Sequence, residues 1–194
     1  MKTGAIILAA GESRRMGRAK AFLPFRGGTF LSTLAATLGA FCSPVIAVFG
    51  FEGEAAALRV PDGVMPAINA NYRLGMLTSL QAGLRALDLN SFDRVLFTPV
   101  DHPAVSADTV ALLVRTGASI AIPRFNGKRG HPVVVRTGIA REFLTEPAGA
   151  KVRDAIDRHA DDIFYVDVDD AGTRDDVDDP SVYEALLARE AVRL

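Results

Sequence analysis

The clearest indication of the fold is the segment Gly4-Ala5-Ile6-Ile7-Leu8-Ala9-Ala10, which runs directly into Gly11-Glu12-Ser13-Arg14-Arg15-Met16-Gly17-Arg18-Ala19-Lys20. Its first half is a short, continuous apolar run, which is typical of a strand buried on both faces. Its second half begins with small residues, so the backbone can approach a ligand closely and point successive amides at an anion. Arg15 and Lys20 can then neutralise phosphate oxygens.

Two common phosphate motifs do not fit this loop. No Gly-Lys-Ser/Thr follows at the spacing of a P-loop, and the glycines do not match the dinucleotide-binding fingerprint. From the residues alone, the loop is either a phosphate site of another kind or a solvated basic loop after a buried strand.

The rest of the chain alternates between apolar runs and helical patterns. Strands are predicted at 45–49, 64–68, 94–100, 118–122, 133–135 and 163–168. Helices are predicted at 31–41, 52–59, 77–87, 106–114, 151–158 and 179–187, with Ser106 and Asp179 as N-caps. This alternation predicts an α/β sandwich with a mostly parallel sheet, formed by one domain over residues 1–194. The irregular segment 124–132 is expected to be a flap over the site.

Composition narrows the class of protein. Half of the 194 residues are apolar, and the net charge of −1 gives no global attraction to nucleic acid or to a membrane. Basic residues cluster at 14–26, and nine aspartates lie between Asp161 and Asp179. Cys42 stands alone in an apolar helical pattern, which indicates a core residue. The N-terminal apolar run is short for a signal peptide and no stretch is long enough to span a bilayer, so we expect a cytoplasmic protein.

Ligands of such sheets bind beyond the carboxyl ends of the strands, so the informative residues should follow strands directly. Three clusters do so, at 11–20, 69–79 and 101–103. Asp101 directly follows a strand that should be buried, where a carboxylate is costly unless it caps a helix, is paired or binds a metal. Magnesium typically takes one or two protein carboxylates together with substrate phosphates.

The ordered motifs resemble the nucleotidyltransferases with a nucleotide-diphospho-sugar-transferase fold, and within them the MobA-like branch. The molybdenum cofactor cytidylyltransferases are the most similar group. The resemblance runs from Lys2 to about Ala188 and is carried by Leu8-Ala9-Ala10-Gly11, Ser13, Arg15-Met16-Gly17, Lys20, Asn71-Tyr72-Arg73-Leu74-Gly75-Met76-Leu77-Thr78-Ser79-Leu80, Asp101-His102-Pro103, Arg129-Gly130-His131-Pro132 and Asp176-Val177-Asp178-Asp179-Pro180. It implies a three-layer, Rossmann-like sandwich, with a final strand before Pro180.

The resemblance also implies roles for individual residues. Arg15, Lys20 and Asp101 would be catalytic, and Mg²⁺ would be held by Asp101 and Asp176, with Asp178 the next candidate. His131 would contact the acceptor. The nucleotide would be bound by Leu8, Ala9, Ala10, Gly11, Glu12, Ser13, Arg14, Arg15, Lys20, Asn71, Gly75, Thr78 and Ser79.

The implied partners are a nucleoside triphosphate, a phosphorylated pterin acceptor such as molybdopterin, and a molybdoenzyme on which the protein docks. The Ala10-Gly11 start and Asn71-Tyr72 favour CTP over GTP. No nucleic-acid or membrane partner is expected.

Other readings of the polar residues are weaker. Asp167, Asp169, Gly172 and Asp178 fall at calcium-loop positions, but Ala171 breaks the pattern and the flanks do not predict two helices. His102, His131 and His159 have no metal-ligand spacing, and His159 is expected to be an exposed helix residue. No Gly-x-Ser-x-Gly elbow supports a hydrolase.

One segment departs from the family. Many relatives carry Gly-Asp, a variable residue and then Gly-Ala-Arg, whereas this chain has Glu146-Pro147-Ala148-Gly149-Ala150-Lys151. Lys151 stands where those relatives have arginine, and lysine cannot form the two parallel hydrogen bonds of an arginine side chain. If this segment positions the pterin, the protein could use a different acceptor. Two alternatives therefore stay: a guanylyl- or sugar-phosphate nucleotidyltransferase, and a non-catalytic cofactor chaperone that binds nucleotide or pterin.

Overall fold

Strands and helices alternate along most of the chain, as the hydrophobic pattern predicts. The computed structural model describes residues 1–192. Its strands are β1 (Thr3–Leu8), β2 (Pro24–Phe25), β3 (Gly28–Thr29), β4 (Val45–Phe49), β5 (Val64–Ile68), β6 (Arg94–Pro99), β7 (Ile120–Phe125), β8 (Lys128–Arg129), β9 (Val133–Arg136) and β10 (Ile163–Asp167). Its α-helices are α1 (Phe30–Gly39), α2 (Gly53–Ala57), α3 (Met76–Ala86), α4 (Ala107–Arg115), α5 (Thr137–Thr145), α6 (Val152–Asp157) and α7 (Pro180–Ala191).

The main sheet has eight strands in the order β10-β7-β9-β6-β1-β4-β5, with β8 paired to β7. The pairs β6–β1, β1–β4, β4–β5 and β10–β7 are parallel, whereas β9 runs antiparallel to both of its neighbours. The predicted mostly parallel mixed sheet is therefore confirmed. Because β1 lies between β6 and β4, the segments that follow these three strands meet at one edge of the sheet.

Both faces of the sheet are covered, which gives the three layers. Alternate residues of β1 enter opposite cores, Ala5 and Ile7 on one face and Ile6 and Leu8 on the other. The first core is closed by α1, α2, α4 and α7, and the second by α3, α5 and α6. The continuous apolar run of β1 is thus explained by burial on both sides.

Predicted local signals are confirmed at two helix starts and at the cysteine. The side chain of Ser106 accepts the Thr109 amide at 3.1 Å at the start of α4. Asp179 accepts the amides of Ser181 and Val182 at the start of α7, where Pro180 is the first helical residue. Cys42 is buried, which raises the pKa of its thiol to about 12.

Segment 124–132 was predicted to be an irregular flap, but most of it is a β-hairpin. Strands β7 and β8 form a hairpin whose turn residues Asn126 and Gly127 have φ of 49° and 74°. Positive φ at both positions matches the right-handed twist of the two strands, and Asn-Gly favours this turn. Residues 124–129 are therefore regular structure, whereas 130–132 are not. Residues 127–131 line the second of the two cavities described below.

Two further expectations were wrong, and one α-helix was not predicted. The segment before Pro180 is not a strand, since 175–178 carries no regular structure. Helix α5 had no predicted counterpart. His159 follows α6 rather than lying inside it, and its ring nitrogen lies 2.8 Å from the Glu142 carboxylate, so it is not a freely exposed side chain.

Within residues 1–192, no helix has the length and apolar character needed to cross a membrane.

Candidate active site

The loop after β1 lines a cavity of about 500 Å³. Ser13 and Gly17 have φ of 50° and 66°, so the chain turns sharply on either side of a 3₁₀ turn, Arg14–Met16. The Met16 side chain is buried, and the Ser13 hydroxyl accepts the Lys20 amide at 3.2 Å. The predicted nucleotide-binding residues on the cavity wall are Leu8, Ala9, Gly11, Glu12, Ser13, Arg14, Arg15 and Lys20.

Ala10 supports this loop from behind. Its side chain is buried, and its carbonyl accepts the Phe51 amide at 3.2 Å. Ala9 donates its amide to the Val48 carbonyl at 2.8 Å. The loop therefore remains attached to β4 for two residues after β1 ends.

Three carboxylates converge beside this loop. Asp101 follows β6, whereas Asp176 and Asp178 come from the segment before α7, and one oxygen from each lies within 4.8 Å of the others. The Val177 amide donates to the Asp101 carbonyl at 3.3 Å and its side chain is fully buried, which fixes the two aspartates that flank it. The two ligand candidates predicted for the C-terminal acidic stretch thus both reach Asp101.

The cations of the loop lie among these carboxylates. Lys20 Nζ donates to Asp101 Oδ2 at 2.9 Å and to Asp178 Oδ1, and Arg15 donates to the other oxygen of Asp178. Burial disfavours the charged ammonium, yet the attraction of Asp101 and Asp178 outweighs it and raises the pKa of Lys20. The hydrogen bond from Lys20 is the main cause that lowers the pKa of Asp178.

Asp176 has the opposite environment. Desolvation first, and then the charges of Asp101 and Asp178, raise its pKa above the usual value for aspartate. The three carboxylates outnumber the two cations, Lys20 and Arg15, so this part of the cavity has an excess of acidic groups. Such a set of hard oxygen donors fits a divalent cation of the Mg²⁺ type.

The loop between β5 and α3 is held by its own polar side chains. The amide nitrogen of buried Asn69 donates to the hydroxyls of Thr78 and Ser79 at 2.9 and 3.0 Å. The Thr78 hydroxyl lies within hydrogen-bonding distance of the Asn71 and Gly75 carbonyls. Thr78 and Ser79 are therefore buried within the loop, whereas Asn71 and Gly75 are exposed on it.

Glu12 bridges the two loops. Its carboxylate accepts the Arg14 Nε at 2.6 Å, the Tyr72 hydroxyl at 3.0 Å and the Arg73 Nε at 3.1 Å. These bonds, that from Arg14 first, lower the pKa of Glu12 to about 2. Glu12 was predicted to bind nucleotide, and its contacts show a carboxylate held against three donors.

Gly50 makes the close approach of the two loops possible. A Cβ atom at this position would lie 2.4 Å from the Tyr72 Cβ and 2.8 Å from the Ala10 carbonyl oxygen. Any larger residue would push Tyr72 away from its bond to Glu12.

A second cavity, of about 580 Å³, lies over the second core. Its floor is apolar and its rim is cationic. The floor is formed by Met76, Phe97, Ile122, Val133, Val152 and Ile156, and the rim by Lys128, Arg129, Arg153 and Arg174, with His131 between them.

His131 connects the second cavity to Asp101. Its ring lies against that of His102, with centroids 4.7 Å apart, and His102 Nε2 lies 3.8 Å from Asp101 Oδ1. Burial lowers the pKa of His131 to about 3 and that of His102 to about 4. Both imidazoles are therefore neutral at pH 7.

The segment 146–151, which departs from the family, lies next to this cavity. The side-chain amide of Gln81 donates to the backbone carbonyls of Phe143 and Glu146 at 2.8 and 2.9 Å, which ties the segment to α3. The first residues of α6, Val152 and Arg153, then line the cavity.

Sequence reasoning missed several residues of the two cavities. Phe51, Glu52 and Arg59 line the first, and Lys128 and Arg174 line the second. Phe51 and Glu52 follow β4 directly, so the rule that named the other loops also applies to them. Arg59 and Arg174 lie away from strand ends and carry no comparable signal.

The family model of the MobA-like NTP transferase domain matches residues 5–163. Molybdenum cofactor cytidylyltransferase of Escherichia coli (strain K12) is 31% identical over 189 residues, which are 95% of this chain and 94% of that protein. Nicotine blue oxidoreductase of Paenarthrobacter nicotinovorans is also 31% identical, over 187 residues, which are 89% of this chain and 90% of that protein.

Among solved structures, a Mycobacterium sp. strain JC1 homologue of a Mycobacterium tuberculosis protein superposes with a TM-score of 0.79. It is 25% identical, and the match covers 100% of this chain and 99% of that one. The architecture thus agrees over nearly the whole length of both chains.

Proposed function

Because the chain belongs to the MobA-like NTP transferase family, and is therefore a nucleotidyltransferase, we propose that it transfers CMP from CTP to a phosphorylated pterin of the molybdopterin type. The observation that carries this proposal is the meeting of Lys20 and Arg15 with Asp101 and Asp178 in one cavity. It brings phosphate-binding cations and metal-binding carboxylates to the same point.

The reaction is a displacement at the α-phosphorus. An oxygen of the acceptor phosphate forms a bond to that phosphorus, and the bond from it to the oxygen shared with the β-phosphate breaks. The electron pair leaves with pyrophosphate. Because the attacking phosphate is already ionised at neutral pH, no general base is required.

The residues of the chain act by position and charge. Arg15 and Lys20 stabilise the charge that grows on the leaving pyrophosphate, and the backbone amides of the Gly11–Lys20 loop bind its oxygens. Asp101 and Asp176, with Asp178 beside them, would hold Mg²⁺. When bound, this ion supplies charge neutralisation at the phosphate oxygens.

The nucleoside half would lie toward the loop between β5 and α3. Asn71 and Gly75 are exposed there, and buried Thr78 and Ser79 hold the loop in shape. The preference for CTP rests on Ala10-Gly11 and Asn71-Tyr72 and on the cytidylyltransferase relative.

The second cavity suits the acceptor. An apolar floor accommodates a flat ring system, and a cationic rim attracts its phosphate. His131, neutral at pH 7, offers one ring nitrogen as donor and one as acceptor to such a ring. We place the protein in the cytoplasm, where it would pass its product to a molybdoenzyme by docking.

A pyrophosphate-release assay tests the proposal. CTP, GTP, UTP and ATP are each mixed with the protein and Mg²⁺, with and without molybdopterin. The proposal predicts release that requires both CTP and the pterin. Release with GTP instead would identify a guanylyltransferase, and tight binding of CTP and pterin without release would identify a non-catalytic chaperone.

The nicotine blue oxidoreductase relative makes the acceptor arm of this assay decisive, because its identity to this chain is as high as that of the cytidylyltransferase. Release of pyrophosphate from CTP with no response to molybdopterin would keep the donor half of the proposal and overturn the acceptor half.

A further inference from the structure

Five cationic side chains line the first cavity, and they are not equivalent. Three are paired with carboxylates inside the cavity: Arg14, Arg15 and Lys20. Within residues 1–192, Arg18 and Arg59 pair with no carboxylate. A polyphosphate can therefore bind these two arginines without first breaking an ion pair.

Arg59 is the better positioned of the two. Its guanidinium carbon lies 3.7 Å from the centroid of the Phe22 ring, whereas that of Arg18 lies 5.8 Å from the Tyr183 ring. The Arg59 amide also donates to the Ala56 carbonyl at 3.0 Å, which continues the turn at the end of α2. Stacking on a ring holds the fork of donors in place, so less conformational entropy is lost when it binds an anion.

The stacking places Arg59 next to the end of the Gly11–Lys20 loop. Phe22 lies in the same 3₁₀ turn as Lys20, and its ring packs on that of Phe49 with centroids 6.3 Å apart. Arg59 and Lys20 thus reach the cavity from two elements that share one aromatic support.

The two faces of the sheet indicate which end of the triphosphate Arg59 meets. Phe22, Phe49 and Ala56 pack on the first core, whereas Leu77 and Leu80 of α3 pack on the second. A nucleoside at the loop before α3 would therefore lie over the second core. The phosphate chain that continues along the Gly11–Lys20 loop would run onto the first, toward Arg59.

We infer that Arg59 binds the pyrophosphate portion of the triphosphate, as a substrate-binding residue that completes the charge supplied by Arg15 and Lys20. This inference rests on the proposed function and adds a residue from outside the phosphate loop. Arginine fits the task because its planar fork donates two parallel hydrogen bonds to one phosphate.

Equilibrium binding of two small probes tests the inference. The full chain is titrated with pyrophosphate and, separately, with CMP, both with Mg²⁺, by calorimetry. We expect Arg59→Met to weaken pyrophosphate binding by about tenfold or more, since a charge-assisted pair of hydrogen bonds is lost. CMP binding should change by less than about twofold, because CMP carries only the nucleoside and the α-phosphate.

Two matched variants support the comparison. Arg59→Lys keeps the charge and loses the fork, and should recover part of the affinity for pyrophosphate. Arg115→Met removes an exposed arginine at the end of α4, outside both cavities, and should bind both probes as the wild type does. Thermal unfolding of each variant confirms that the fold is kept.

Pyrophosphate binding by Arg59→Met at wild-type strength would overturn the inference. So would an equal loss of CMP binding, because it would place Arg59 at the nucleoside. If the wild type itself bound neither CMP nor pyrophosphate, the proposed function would fail as a whole. If the wild type binds pyrophosphate and Arg59→Met binds it equally well, only the role of Arg59 is overturned, and the proposed function stands.

A double-mutant cycle with Phe22→Leu provides an independent check. If Phe22 acts by holding Arg59, the loss of pyrophosphate affinity caused by Arg59→Met should shrink in the Phe22→Leu background. Additive losses would contradict the role of the stack.

Discussion

Lys20 Nζ lies 2.9 Å from Asp101 Oδ2, so a cation proposed for phosphate binding rests against a carboxylate proposed for metal binding. Both side chains are largely shielded from solvent, with 13% and 18% of their surface exposed. Phosphate and metal must therefore displace this contact together. Loading of the site should be cooperative, because each ligand takes over one partner of the ion pair.

Lys20→Met should separate metal binding from activity. Removing the ammonium leaves Asp101 without its cation and Asp178 with Arg15 alone. Affinity for Mn²⁺ alone should therefore rise by about tenfold, while transfer activity falls by orders of magnitude. Electron paramagnetic resonance of free Mn²⁺ measures the affinity. Lys2→Met, on an exposed residue far from the cavity, is the control, and unchanged or weaker Mn²⁺ binding by Lys20→Met would contradict the account.

Asp176→Asn and Asp178→Asn should shift stability in opposite directions at pH 7. The raised pKa of Asp176 means that its ionised form disfavours the folded state, a penalty that appears as pH rises above about 3.8 and that Asp176→Asn removes. The lowered pKa of Asp178 means that its ionised form stabilises the fold above that pH, so Asp178→Asn should lower the melting temperature.

Thermal unfolding at pH 7 and pH 3 checks both signs. The two differences from the wild type should shrink at the lower pH, where the carboxyls become protonated. Despite its gain in stability, Asp176→Asn should lose tenfold or more in Mn²⁺ affinity. A less stable Asp176→Asn at pH 7 would show that the carboxylate set is not strained in the absence of metal.

Glu12→Gln should raise the KM for the triphosphate severalfold and change kcat little. The neutral amide weakens the bonds to Tyr72 and Arg73, so the two loops should separate, while the groups at the reacting phosphorus are untouched. Steady-state kinetics give the two constants, and hydrogen exchange at 69–75 reports the loosening. Glu54→Gln, on the exposed face of α2, is the control; an equal fall in kcat would argue for a direct role of Glu12.

His131→Gln should raise the KM for the acceptor about tenfold and leave that for the triphosphate unchanged. Because burial holds the pKa of His131 near 3, its ring stays neutral throughout the range from pH 5 to pH 8. The wild-type rate should therefore show no titration step from this residue over that range. A change in the KM for the triphosphate, with no change in the KM for the acceptor, would indicate that His131 contacts the triphosphate instead.

The sequence predicts the loop after β1 and the position of Asp101 because these signals are local. A buried strand, the small residues after it and the spacing of Arg15 and Lys20 all lie within 4–20. Asp101 follows its strand directly, and Asp179 with Pro180 marks the start of α7 for the same local reason. Each of these predictions depends on neighbours only a few residues away.

The missed features depend on contacts between distant segments. Arg59 stacks on Phe22 because α2 packs against β4 and β5. Asp178 approaches Lys20 because the segment before α7 is hydrogen-bonded to Asp101, just after β6. Helix α5 lacks a side-chain cap, and its early Gly138 weakens its helical signal. The β7–β8 hairpin is different, since Asn126-Gly127 is a strong local turn signal that the sequence does carry.

Transfer of isotopic label from CTP shows whether the protein moves CMP to the pterin. The protein is mixed with Mg²⁺, molybdopterin and CTP labelled at either the α- or the γ-phosphorus. The account predicts that the α-label moves to the pterin product and the γ-label leaves as pyrophosphate, with both transfers abolished in Asp101→Asn. Label that stays in CTP, or γ-label that appears on the pterin, would contradict it.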